Sequence, residues 1–177
     1  TNNTLIGYDA QPSSPTVNNE VTIGNDDVKV TRLNGEVQTT QDITVNGVTV
    51  GVGSGDDEYS TVLGLGALEN NSTGSTNTAV GAFALKSNKT GTQNTAIGKS
   101  SLGVSEDTVG NTAVGDDTLY ASKGAGNTAV GINSGRELET GENNTFIGRD
   151  SGRNSASGSN NTCVGNGAQP SATGVNN

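Results

Sequence analysis

The feature that most constrains this chain is a short unit, Asn-Thr-(small or apolar)-(Val/Ile)-Gly, that returns at nearly constant spacing along most of its 177 residues. It occurs as Asn77-Thr78-Ala79-Val80-Gly81, Asn94-Thr95-Ala96-Ile97-Gly98 and Asn111-Thr112-Ala113-Val114-Gly115, then as Asn127-Thr128-Ala129-Val130-Gly131, Asn144-Thr145-Phe146-Ile147-Gly148 and Asn161-Thr162-Cys163-Val164-Gly165. Ser60-Thr61-Val62-Leu63-Gly64 precedes them, and the glycines from Gly64 to Gly165 are spaced 17, 17, 17, 16, 17 and 17. Asn3-Thr4-Leu5-Ile6-Gly7 and Val21-Thr22-Ile23-Gly24 form an outlying pair at the same period. A period of this length is the signature of a solenoid, in which each unit buries its apolar side only by stacking on its neighbours. The spacing therefore predicts an all-β parallel β-solenoid of 17-residue coils.

Composition agrees that no ordinary core is available, since only 29% of residues are hydrophobic and Gly alone contributes 27. Without the repeat, that composition and a net charge of −9 would point to disorder. Stacked columns of identical residues can replace the core: the Asn column passes amide hydrogen bonds from coil to coil, and the Thr column does the same with hydroxyls. Val80, Ile97, Val114, Val130, Ile147 and Val164 are the expected inward core column. Gly81, Gly98, Gly115, Gly131, Gly148 and Gly165 are the expected turn glycines. The residue three after each of these glycines is Ala, Ser or Thr and also reads as inward. Four after, Leu68, Leu85, Leu102 and Leu119 give way to Gly135, Gly152 and Gln169, so the core is expected to thin toward the C-terminus. A second glycine, at Gly74, Gly91, Gly124, Gly141 and Gly158, is expected to supply the positive φ of a tight turn.

Residues 25–58 leave the register. Val28–Leu33, Ile43–Val45 and Val48–Val52 read as alternating strands, with Asn34-Gly35 and Asn46-Gly47 as hairpin turns. The expected organisation is thus solenoid-like repeats over 1–24, a β-hairpin spacer over 25–58 and a regular solenoid over 59–177. In Thr-Ala-Val strands both faces carry small or apolar residues, and one coil has only one interior. An apolar second face suggests packing of several chains around a fibre axis.

The Asn-Thr-Ala-Val-Gly units resemble the head repeats of trimeric autotransporter adhesins, whose period is shorter. The longer period, the tail Gly81-Ala82-Phe83-Ala84-Leu85 and the lead-in Val45-Asn46-Gly47-Val48-Thr49-Val50-Gly51 are more similar to repeats in tail-fibre and other structural proteins of bacteriophages and large viruses. The resemblance implies a left-handed β-roll-like coil in an intertwined homotrimer. It also implies a protease-resistant fibre or spike segment at the virion surface that gives rigid extension and presents a host-attachment surface. A bacterial trimeric surface adhesin head is the alternative, and a polysaccharide depolymerase spike a third reading. The partners so implied are the chain itself, other fibre or virion proteins, and a host surface glycan or protein.

Catalytic chemistry finds little footing. The chain has no His, which removes Ser-His-Asp and Cys-His arrangements and His-based zinc ligation. Cys163 stands where other units have Ala or Phe and reads as a small buried apolar residue. The acids Asp56-Asp57-Glu58, Asp116-Asp117 and Glu137/Glu139 are candidates for paired carboxylates or Ca²⁺ ligands, and solvated turns explain them more simply. The chain is therefore expected to be no enzyme and to need no metal or other cofactor. Its acidic balance disfavours nucleic acid, and no apolar run is long enough for membrane insertion. Variable positions after the repeat glycine mark the candidate exposed contacts: Phe83, Lys99, Asp116, Asp117, Ile132 and Arg149.

Overall fold

The computed structural model describes residues 2–7, 9–14, 16, 20–23, 39, 41–55 and 59–170. The expected strand Val28–Leu33, the Asn34-Gly35 turn and the Asp56-Asp57-Glu58 cluster lie outside them. The chain divides into two compact units, Thr1–Thr39 and Thr40–Asn177. In the first, β1 (Thr4–Ile6) pairs in parallel with β2 (Val21–Ile23), Thr4 opposite Val21, so the two outlying repeats are successive rungs of one coil. The second unit holds one nine-stranded sheet. It opens with the hairpin β3 (Ile43–Val45) and β4 (Val48–Gly51) and continues through β5 (Thr61–Gly64), β6 (Thr78–Val80), β7 (Thr95–Ile97) and β8 (Thr112–Val114). It ends with β9 (Thr128–Val130), β10 (Thr145–Ile147) and β11 (Thr162–Val164). From β5 to β11 every neighbour is parallel and residue-for-residue in register, Thr on Thr and Ala on Ala, which makes a β-solenoid. None of the described residues is helical.

Each strand is short because the backbone leaves the β region at the glycine that follows it. Gly81, Gly98, Gly115, Gly131, Gly148 and Gly165 have φ between 127° and 134°, a region essentially reserved for glycine. They also stack: a Cβ on Gly98 would stand 2.3 Å from the Gly115 carbonyl oxygen. Two further left-handed residues follow, two and four positions on, as at Ser100 and Leu102 with φ of 55° and 50°. Left-handed leucine is sterically disfavoured. It is stabilised here by burial, because Leu68, Leu85, Leu102 and Leu119 are all fully enclosed. The second glycine column corrects the expectation of positive φ: Gly74, Gly91, Gly124 and Gly141 are absent from the left-handed region. Close stacking requires them instead, since a Cβ on Gly141 would lie 2.2 Å from the Gly158 carbonyl oxygen.

The interior also differs from the sequence reading. Val80, Ile97, Val114, Val130, Ile147 and Val164 point outward and are half-buried or exposed, while Ala79, Ala96, Ala113, Ala129, Phe146 and Cys163 are the buried column. Alternation along a three-residue strand forces one face to be inside, and space decides which. The opposite wall already fills the interior with leucine, so the strand contributes only a methyl. Where the leucine is missing the exchange reverses: Phe146 occupies the alanine column and sits between Gly135 and Gly152, at which a Cβ would come within 3.0 and 2.5 Å of its ring. Leu138 adds a further buried side chain in this region. The core therefore does not simply thin; volume moves from one wall to the other, as close packing requires. The expected inward positions three after each glycine hold, with Ala67, Ala84, Ser101, Thr118, Ser134 and Ser151 all buried.

The hairpin belongs to this sheet. Asn46 and Gly47 both have positive φ, 49° and 80°, as a two-residue type I′ turn demands. β4 then runs antiparallel to β5, pairing Val50 with Leu63, and so occupies the edge that the first parallel strand would otherwise expose. The one-residue deletion is absorbed in a connector, where Lys123 alone separates Ser122 from Gly124, and Thr112 still pairs with Thr128.

Candidate functional site

The array's chemistry is organised as columns, and the most regular is asparagine. The backbone amide of Asn94 donates to Asn77 Oδ1 at 3.0 Å, and Asn111, Asn127, Asn144 and Asn161 each repeat this bond to the preceding Asn at 2.8–3.1 Å. From Asn77 to Asn144 each side-chain amide then reaches across the coil, Asn77 Nδ2 to the Gly91 carbonyl at 2.8 Å and Asn127 Nδ2 to the Gly141 carbonyl at 2.9 Å. Ser60 Oγ starts the ladder by accepting from the Asn77 amide. The side chains from Asn77 to Asn161 are at most 1% exposed, so each buried amide is satisfied by its neighbours. A second ladder went unread in the sequence: Asn88 Nδ2 donates to Asn71 Oδ1 at 2.9 Å, and Ser105 and Ser122 continue the column, Ser105 Oγ donating to the Ser122 carbonyl. Its signal was present as a polar residue seven after Gly64, Gly81, Gly98, Gly115 and Gly148, with Leu138 interrupting the column after Gly131. The expected hydroxyl ladder does not form, because the Thr column lies on the outward face and no hydroxyl of Thr78, Thr95 or Thr112 bonds another coil.

That outward face is the second candidate surface. Leu63, Ile97, Val130, Ile147 and Val164 are 37–67% exposed and alternate with the half-buried or exposed threonines along one line of the array. With strands roughly 4.8 Å apart, seven rungs extend this stripe over about 30 Å.

A third surface is formed by the residues one, two and five after the repeat glycine. Of the candidate contacts, Lys99, Asp116, Ile132 and Arg149 are exposed, while Phe83 and Asp117 are half-buried. Phe83 is drawn into a cluster: Lys86 Nζ lies 5.0 Å from its ring centroid and 3.5 Å from Glu69 Oε2. Asp117 pairs with Arg136 at 3.3 Å, and the Arg136 guanidinium lies 5.5 Å from the Tyr120 ring. Between the hairpin and the first coils a cleft of about 730 Å³ is lined by Asp42, Thr44, Thr49, Glu69, Phe83 and Lys86 among others. A hollow of about 360 Å³ lies on the far side of Phe83 and Lys86, bounded by Ser100, Gly103 and Tyr120.

Among the described candidate acids, Asp117 holds Arg136 at 3.3 Å and Glu137 lies 3.9 Å from Arg153. Among the described residues no three His, Cys, Asp or Glu side chains form a group that could hold a metal ion. Burial pushes the Cys163 thiol above its ordinary pKa. The Asn-x-Thr/Ser sites at Asn71 and Asn88 have their amides enclosed in the second ladder. No described helix is long and apolar enough to cross a membrane. The chain matches no family model, no curated protein and no solved structure.

Proposed function

We propose that this chain is a structural segment of a fibre or spike on a virion, giving rigid extension and an attachment surface, with copies associating in parallel as a homotrimer. The observation that carries the reading is the outward Thr/Val stripe. The solenoid ties its strands and the repeat asparagines from Asn77 to Asn161 together within one chain, so the array needs no partner in order to fold. Yet it leaves an evenly spaced apolar line along its length. A partner that fills such a line must repeat with the same rise, and another copy does. Rigidity follows from in-register ladders that tie each coil to the next.

Sedimentation of the intact chain tests this. A trimer is expected, and Val114→Asp, whose side chain is half-buried and outward, should shift it to a folded monomer. Ala113→Asp should instead unfold the array, because it buries a charge. A wild-type chain that sediments as a 17.7 kDa monomer at all concentrations would overturn the assembly reading.

A further inference from the structure

We propose that the cleft beneath the hairpin and the adjoining hollow form one binding groove for a neutral oligosaccharide. The two spaces share Phe83 and Lys86 as a common wall, so together they run from Thr44 and Thr49 on the hairpin, over Glu69, to Tyr120. Aromatic side chains are scarce in this chain, three Tyr and two Phe. Phe146 is spent in the core, while Phe83 and Tyr120 line this groove together. They stand two rungs apart, about 10 Å along the axis, and the intervening rung contributes Ser100, Gly103 and Val104 to the lining. A Cβ on Gly103 would come within 2.9 Å of the Tyr120 ring, so the glycine is what lets that ring lie against the coil. Lys86 and Arg136 each hold one of the two rings in place.

The polar groups suit a ligand rich in hydroxyls. Among the described residues, the hydroxyls of Thr44, Thr49, Ser87 and Ser100 have no protein partner, and the Lys86–Glu69 pair offers donors beside acceptors. Asp42 is committed to the wall, accepting from the Val52 and Gly53 amides at 2.7 and 2.8 Å. With Asp42 and Glu69 against the single cation Lys86, the lining carries no excess positive charge, which disfavours anionic sugars. A pyranose presents C–H faces and hydroxyls on the same residue, and so fits ring walls alternating with hydroxyls and a carboxylate.

This names a ligand class for the attachment part of the reading above and rests on it only for its biological use. The groove does not involve the outward Thr/Val stripe. The test is titration of the intact chain with cellotetraose, chitotetraose and maltotetraose, and with a heparin tetrasaccharide as anionic control, followed by isothermal calorimetry and by NMR of the aromatic rings. At least one neutral tetrasaccharide is expected to bind and to shift the Phe83 and Tyr120 resonances. Phe83→Asn, which keeps a residue suited to φ of 62° as Asn133 does in the same column, and Tyr120→Ala should each weaken binding about tenfold, the loss of one aromatic contact. Val114→Asp should leave it unchanged, so failure of assembly and failure of binding are separately visible. Absence of binding by all three neutral sugars, binding indifferent to both ring substitutions, or binding of heparin alone would overturn the proposal.

Discussion

In the first unit the Glu20 amide donates to Asn3 Oδ1 at 3.0 Å and the Thr4 amide to the Glu20 carbonyl at 2.8 Å. In the second the Asn94 amide donates to Asn77 Oδ1 and the Thr78 amide to the Asn94 carbonyl at the same two distances. Burial is not the same. Leu5, in the column that Ala79 to Cys163 occupy in the array, is 42% exposed, and Ile6, Val21 and Ile23 are 47–63% exposed. The alanine column is fully enclosed from Ala79 to Ala129. Hydrogen-bond geometry is thus a property of one rung meeting another, whereas burial is collective and needs rungs on both sides. Two rungs reproduce the ladder without the core.

The largest expected effect separates stacking from local conformation. Gly115 and Gly165 share φ of 134° and 128°, but a Cβ on Gly115 would lie 2.7 Å from the Gly131 backbone while nothing lies within 4 Å of one on Gly165. Gly115→Ala should cost backbone strain of about 1–3 kcal/mol and roughly 1–3 kcal/mol more for overlap. Gly165→Ala should cost only the strain. Urea denaturation of the two variants checks this; equal losses would mean that the column is glycine for its φ alone.

The strand register was legible in the sequence because identical residues at one period can only stack on themselves. Thr145 opposite Thr162 and Ala96 opposite Ala113 follow directly from the spacing. Which face was inside was not legible. Thr-Ala-Val offers a methyl on one side and an isopropyl on the other, and hydrophobicity favours the isopropyl. The answer was held in the leucine four after the glycine, whose left-handed backbone turns its side chain into the coil and leaves room only for alanine. The Phe146, Gly135 and Gly152 exchange was visible as a coincidence of substitutions, and only geometry showed that it conserves volume. The groove at Phe83 and Tyr120 was half legible: Phe83 stood out as a variable position, but its meeting with a hairpin far along the chain depends on how β4 caps β5.

Truncating one leucine in each region sharpens the contrast between ladder and core. Leu102→Ala should destabilise the array by about 2–5 kcal/mol, because the side chain is fully buried and its neighbours are held by the ladder and cannot collapse into the space. Leu5→Ala should change stability by less than about 1 kcal/mol, since its exposed side chain has little transfer energy to lose. A large loss for Leu5→Ala would mean that the first unit is covered in the assembled protein.

The smallest effect isolates the ladder itself. Asn88 Oδ1 is buried without a partner because the next coil presents Ser105, which is too short to reach back and donates forward to the Ser122 carbonyl instead. Ser105→Asn would extend the column by placing an amide where Asn88 stands relative to Asn71, and should satisfy that oxygen. It would give up the bond to Ser122 in return, so the expected gain is no more than about 1 kcal/mol. The substitution adds no apolar burial, and any stabilisation would therefore belong to the ladder alone. A loss of stability would show that the coil tolerates serine here because its interior has narrowed, and that packing outweighs hydrogen bonding even within the polar columns.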